Sequence, residues 1–290
     1  MSKTSAPRPE DDPSVRDVVT HLLRREVKSL TYWDPLVRND LDPEGVHQLR
    51  VSARRLRSEL EALEAVASRG PWRSLRDDLK WMGRVLGALR DLDVLAALFD
   101  ERLVHSSALR GEVLSTIARQ TTKRRRDVTA LLESSRYARL VRQLTEWSET
   151  PEGGVLWSQS AREVLLPVLW NAACAYVDAV GSPYERRSDA ALHRVRIASK
   201  RCRYHFEVAT FYLGEEAREV ATTLALIQDV LGQVHDRAVA VSFLDTLAHA
   251  SEDDIEVRRA LRTEIGELRP QWIGHFEVAR RGILGVFDPA

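Results

Sequence analysis

Two twelve-residue segments of this chain are versions of one another. Residues 46–57 read VHQLRVSARRLR and residues 192–203 read LHRVRIASKRCR, an offset of 146. His47/His193, Arg50/Arg196, Arg55/Arg201 and Arg57/Arg203 are identical, and Arg54 is matched by Lys200. A second match follows in the same order at offset 145, VLGALRDLDV (85–94) against VLGQVHDRAV (230–239). The period is far too long for a solenoid repeat. It predicts a duplicated unit whose halves pack about a pseudo-two-fold axis.

The punctuation of the chain predicts what that unit is made of. Proline is absent between Trp72 and Thr150 and again between Tyr184 and Arg269. Both stretches are rich in Leu, Ala, Arg and Glu, which favour helix, and no Asn-Gly or Asp-Gly hairpin turn interrupts them. The expected fold is all-α, with helices over 14–31, 43–67, 72–104 and 109–147 in one half. Helices over 155–181, 189–212, 215–249 and 253–285 are expected in the other. Asp42-Pro43 supplies an N-cap followed by proline at the first helical position. The expected architecture is two four-helix bundles, 14–147 and 155–285, joined by a linker at 148–154 around Pro151-Glu152-Gly153-Gly154. Residues 1–13 and 286–290 are read as tails, the first disordered.

Placed on a helical wheel, His47, Arg50, Arg54 and Arg57 fall within about 80° of one another, opposite Leu49, Ala53, Leu56, Leu60 and Leu63. The apolar stripe is the core-facing side. The basic stripe has no acid between positions 46 and 58. The second half repeats the geometry: His193, Arg196, Lys200, Arg203 and Tyr204 share one face, with no acid from 190 to 206. Like charges one turn apart destabilise a helix modestly, so most such stripes are diluted with carboxylates. A rail of roughly 15 Å, kept twice without acids, fits a chain of phosphates better than a single one. Arginine's donor fork matches phosphate oxygens, and both histidines lie near helix N-termini, which favour anions.

Other basic residues are less specific. Lys80 and Arg84, Arg119, Lys123 and Arg126, and Arg258 and Arg262 are additional candidate contacts that have equal claim to pairing with surface acids. Asp91 and Asp236, following Leu86-Gly87 and Leu231-Gly232, are read as carboxylates that orient ladder arginines, and the glycines as points of close helix approach.

Lys+Arg and Asp+Glu both total 43, so a globally basic nucleic-acid binder is disfavoured and any polyanion site must come from local segregation of charge. Two cysteines, Cys174 and Cys202, exclude a disulfide scaffold and a Cys-based zinc site. No apolar run is read as a membrane span, and the first residues carry no signal-peptide core, so a cytoplasmic protein is expected. There is no Walker A loop, GxGxxG, HExxH or GxSxG. Neither ladder histidine has a second histidine at metal-site spacing, and no acidic pair stands ready for Mg²⁺. No catalytic residue, metal or cofactor is therefore expected. Two alternatives remain: a helical nucleic-acid binder, for which Tyr204 is the one good stacking residue, and a phosphate-transferring or hydrolysing enzyme acting through His47 or His193.

At VHQLRVSARRLRSELEAL and LHRVRIASKRCRYHFEVA, with LRDLDV after the Leu-Gly step, the chain resembles the CHAD family, the conserved histidine α-helical domain. The resemblance runs from about residue 14 to 285. It implies two four-helix bundles around a basic channel or groove, binding of inorganic polyphosphate and, in some members, location at polyphosphate granules. The ligand-contacting residues it implies are His47, Arg50, Arg54, Arg57, His193, Arg196, Lys200, Arg203 and Tyr204. The second half departs in carrying His235-Asp236-Arg237-Ala238 where the first has Arg90-Asp91-Leu92-Asp93. Many relatives add a triphosphate-tunnel domain with an ExExK motif. That motif is absent here, so triphosphatase activity is not carried over.

Overall fold

The computed structural model describes residues 8–40, 42–64, 70–104, 106–150, 154–183, 185, 188–247 and 251–288. Among the described residues the chain is all-helical, apart from one isolated backbone bridge between Ser14 and Ser160. The α-helices are α1 (Val15–Asp40), α2 (Pro43–Glu64), α3 (Trp72–Arg102), α4 (Ser107–Glu133) and α5 (Ser135–Glu149). They continue as α6 (Ala161–Val180), α7 (Asp189–Leu213), α8 (Glu215–Leu244), α9 (Glu252–Leu268) and α10 (Trp272–Phe287).

Two expected helices are each two helices. At Ser134 the backbone turns extended (φ −72°, ψ 144°), and the Ser134 hydroxyl accepts a hydrogen bond from the Tyr137 amide, separating α4 from α5. At Arg269-Pro270-Gln271 the lost proline N–H ends α9 and lets α10 restart. The first helix, expected to stop at residue 31, instead runs through Pro35 to Asp40. Leu30 and Val37 are both buried, and burying those side chains outweighs one missing backbone bond. Arg38 adds an ion pair to Asp34 at 2.9 Å and donates to the Leu132 carbonyl at 2.6 Å. The helix expected from residue 155 begins at Ala161 after a short 3-10 turn (Val155–Ser158), with Ser160 as its N-cap.

Residues 8–13, expected within a disordered tail, are folded. Pro9–Asp11 form a 3-10 turn, and the Pro13 carbonyl accepts from the Ala161 amide at 2.8 Å. Residues 1–7, and 151–153 of the expected linker, lie outside the described residues. α6 is long and apolar enough by composition to cross a membrane, which the sequence reading did not register. One face of it, Leu165, Leu169, Ala173 and Tyr176, is packed in the core.

The apolar side of α2 packs as its periodicity predicts: Val46, Leu49, Ala53, Leu56 and Leu60 are all buried. They join residues of α1, α3 and α5 in one core cluster. A second cluster gathers α6, α7, α8 and α10. α1 serves both, with Val19 and Leu23 in the first and Val18 and Leu22 in the second. A third cluster, including Leu92, Phe99, Val113, Leu244 and Leu261, ties the distal ends of α3 and α4 to those of α8 and α9. Glu264 on α9 braces this end, pairing with Arg102 at 2.7 Å and Arg237 at 2.5 Å. These contacts leave α2 and α3 facing α7 and α8 across a cleft.

Candidate anion-binding cleft

The cleft has a volume of about 460 Å³. α2 contributes His47, Arg50 and Arg54 to its lining, and α7 contributes Arg196, Lys200 and Arg203. α3 adds Arg90 and Asp91, and α8 adds Gln228, Asp229, Gln233, His235 and Asp236. Five arginines and Lys200 thus face three carboxylates. The structure brings six of the nine ladder residues into direct lining positions.

The remaining three sit elsewhere. Arg57 is exposed and does not line the cleft. His193 is also exposed, its ring 5.7 Å from that of His235, which does line it. Tyr204 is 3 % exposed and lies under the cleft cations: the guanidinium of Arg54 is 5.5 Å from its ring centroid and that of Arg203 is 5.7 Å away. It supports the two arginines from behind by cation–π contact.

Of the additional candidates, none lines the cleft. Lys80, Arg84, Lys123 and Arg126 are exposed on their helices, and Arg119 donates to Thr116 at 2.9 Å. Arg258 is structural. Its guanidinium holds Asp254 at 2.8 Å, binds Asp245 and donates to the Leu244 carbonyl at 2.6 Å, fastening α9 to the end of α8. Arg262 borders a separate cavity of about 610 Å³ beside Trp272.

The two aspartates lie beside ladder arginines of opposite halves. Asp91 stands 3.9 Å from Arg50. Asp236 lies beside Arg196 and His235, and burial first of all holds its carboxyl above the usual range. Gly87 permits this packing, because a Cβ there would come within 3.2 Å of Arg50 Nε. Gly232 does not make the expected close approach. A Cβ there would meet nothing within 4 Å, and the residue simply lines the cleft.

Electrostatics inside the cleft favour an anion. His47 is held below its ordinary pKa by burial and then by Arg90, so it is neutral near pH 7. Burial, followed by Arg196, Arg54 and Arg50, pushes Lys200 down to about 7. Burial also disfavours the charged forms of Arg54 and Arg196, although a guanidinium stays protonated throughout. His47 Nδ1, Arg54 Nε and Arg196 Nε are buried without hydrogen-bond partners among the described residues. Buried polar atoms of this kind normally find partners, and an anion's oxygens would supply acceptors to both guanidinium N–H groups.

Arg90 and His235 were not among the residues singled out from sequence. Their signal was present, since they occupy equivalent places in VLGALRDLDV and VLGQVHDRAV. In the sequence they stand out only as a point where the two halves differ.

An all-helical protein with a polybasic cleft walled by paired His/Arg helices is the class that this fold and site define. A family model described as CHAD domain matches residues 21–245, and the chain belongs to that family. Two uncharacterised Mycobacterium tuberculosis proteins are each 29% identical to it over 249 residues, covering 81% of this chain and 45% of each relative. The chain therefore spans about half the length of these curated relatives. Among solved structures, the CHAD domain from the plant Ricinus communis aligns with a TM-score of 0.68 and 26% identity, covering 99% of this chain and 96% of that one. PptA from Streptomyces chartreusis aligns with a TM-score of 0.65 over 95% of this chain and 99% of its own, and at 17% identity that likeness shows the fold alone.

Proposed function

We propose that the chain is a non-catalytic binding module for inorganic polyphosphate, held in the cleft between α2 and α7. The observation that carries this reading is the convergence of Arg50, Arg54, Arg196, Lys200 and Arg203 on one cavity, with buried guanidinium N–H groups left unpaired. Polyphosphate presents a charge on every unit and no hydrophobic or aromatic part. That chemistry matches a lining of forked donors with few apolar groups. Family membership supports the same ligand. A cytoplasmic setting, at polyphosphate granules, follows from that ligand.

We further infer that the two halves descend from one four-helix unit. Two ion pairs support this: Arg55 of α2 with Glu207 of α7 at 3.6 Å, and Arg201 of α7 with Glu61 of α2 at 3.0 Å. The second pair is the first with both residue numbers exchanged between the repeats at their offset of 146.

Burial of Tyr204 argues against nucleic acid, because the ring is covered by Arg54 and Arg203 and offers no face to a base. Calorimetric titration with polyphosphate, followed by competition with a single-stranded RNA of equal charge, tests the reading. Tight polyphosphate binding that RNA fails to displace supports it, and preference for RNA overturns it. Incubation with labelled polyphosphate and Mg²⁺ tests the non-catalytic part, which released phosphate that depends on His47 would refute.

A further inference from the structure

We infer that Lys200 is a covalent modification site, an amine nucleophile set inside an anion-attracting cleft and matched to acyl phosphates as co-substrates. The inference rests on the anion-binding reading of the cleft. It names a reaction that this reading does not require.

The geometry is unusual for a lysine. Lys200 lies midway along α7, half-buried, and lines the open cleft. Arg50, Arg54 and His47 face it from α2, Arg90 and Asp91 from α3, and Asp229, His235 and Asp236 from α8; Arg196 and Arg203 flank it on α7. It makes no hydrogen bond or ion pair with any described residue. The three guanidiniums that oppose its protonation are the groups that attract a phosphate. The chain's other lysines, Lys28, Lys80 and Lys123, are exposed, and Lys3 lies outside the described residues.

With its pKa held down to about 7, Lys200 is mostly neutral at pH 7.5. An ordinary lysine near 10.4 is neutral in only about one molecule per thousand. Lower basicity weakens an amine as it weakens a thiolate, by roughly half a log unit in rate for each pK unit. The net gain is about tenfold or more. An acyl phosphate docks its phosphate on the guanidiniums, which relieves part of their opposition to protonation; burial, the larger cause, still holds the amine below its ordinary value as the carbonyl carbon meets Nζ. The nitrogen lone pair forms the N–C bond and the bond between the acyl carbon and the phosphate oxygen breaks. Inorganic phosphate leaves with that electron pair, and the amine proton passes to it through water. The amide product can no longer take up the proton that a bound polyanion favours at the centre of the cleft, so acylation weakens polyanion binding.

The test treats the full chain with acetyl phosphate at pH 7.5 and follows acetylation of Lys28, Lys80, Lys123 and Lys200 by peptide mass spectrometry. A parallel series uses an uncharged acetyl ester, and both are repeated with tripolyphosphate. Polyphosphate affinity is measured by titration before and after treatment, on the wild type and on Lys200→Arg. Lys200 is expected to react about tenfold faster than the exposed lysines, with the excess larger for acetyl phosphate and suppressed by tripolyphosphate. Treatment is expected to weaken polyphosphate binding of the wild type but not of Lys200→Arg. If polyphosphate binds and Lys200 reacts no faster than Lys80, the modification inference is wrong and the binding reading survives. If Lys200 is fast only with the uncharged ester, its acyl phosphate specificity is overturned. If polyphosphate does not bind and tripolyphosphate gives no protection, both readings fall.

Discussion

Arg201 on α7 reaches across to Glu61 on α2 at 3.0 Å, two turns further along α2 than the cleft arginine Arg54. Both side chains are substantially exposed, and such a pair is worth at most about 1 kcal/mol. Its value is positional. With Arg55–Glu207 it ties α2 to α7; Glu207 also holds the cleft arginine Arg203 at 2.7 Å, while Arg54, Arg196 and Lys200 line the cavity without an ion pair among the described residues.

Polyphosphate affinity should fall steeply with salt. Cationic contacts release counterions condensed on a polyanion, and several phosphate contacts amount to about a thousandfold loss or more over the range of about 50 to 500 mM salt. Titration across that range checks this, and a flat response would remove the polyanion reading.

Charge reversal should separate ligand contacts from structural cations. Arg54→Glu with Lys200→Glu should abolish binding while circular dichroism stays helical. Arg124→Glu with Arg125→Glu should weaken it only modestly, since neither residue lines the cleft. Arg258→Ala should do the opposite of the first pair. It strands Asp254, which is 3 % exposed, and should cost about 3 kcal/mol of stability. The variant's polyphosphate affinity, measured below its melting temperature, should be near that of the parent.

Binding should take up protons above pH 7, chiefly at Lys200. Its pKa in the free protein is about 7. A bound polyanion favours the ammonium form and raises that value. Affinity should therefore rise as pH falls from about 9 to 7, because the bound state holds the extra proton in that window. Lys200→Arg should flatten this part of the curve. His47→Gln should leave the Lys200 part of the curve in place and flatten the more acidic part, since His47 starts from below its ordinary value in the free protein. If Lys200→Arg keeps the whole slope, the titrating group lies elsewhere.

Glu59 should make the fold less stable as pH rises. It is 4 % exposed, and burial, then Glu26, holds its carboxyl well above the usual range, against the pull of Arg25 at 2.8 Å. The folded state thus keeps a proton that the unfolded chain releases above about pH 4.3. Stability from this group is lost as pH climbs from there towards the folded pKa. Glu59→Gln keeps an acceptor for Arg25 and cannot ionise. Its melting temperature should exceed the parent's by a few degrees at pH 8 and by much less at pH 5. An equal offset at both values would show that Glu59 does not titrate on unfolding.

Two glycines should respond differently to alanine. Gly232→Ala meets open space and removes glycine's helix penalty, so it should stabilise by up to about 1 kcal/mol. Gly87→Ala carries the same helix benefit but displaces Arg50, whose Nε would lie 3.2 Å from the new Cβ. Polyphosphate affinity should drop several-fold in Gly87→Ala and little in Gly232→Ala, compared by titration alongside thermal melts.

The all-helical fold and the inward faces of α2 and α7 were legible because they depend on local sequence. Helix preference and a 3.6-residue repeat are properties of neighbouring residues, so Leu49, Leu56 and Leu60 could be assigned to the core and Arg50, Arg54, Arg196 and Lys200 to a shared azimuth. A wheel gives direction around an axis, but not what lies opposite or how far along the axis that cover extends. This is why Arg57 and His193 were grouped with the ladder yet lie outside the cleft lining. Helix ends were misjudged for a related reason: Leu30 and Val37 carry α1 through a proline because of what they pack against.

The helical class, the doubled motif and the azimuth of each ladder side chain were readable along the chain. Packing between distant segments settled that Tyr204 is a buried support, that Arg258 is a clamp, and that Lys200 stands among guanidiniums with Asp236 as a weaker counter-charge. Those are facts about burial and pairing between segments distant in the chain. In a partly desolvated cleft such neighbours set whether an amine is charged near neutral pH, and local sequence carries no record of them.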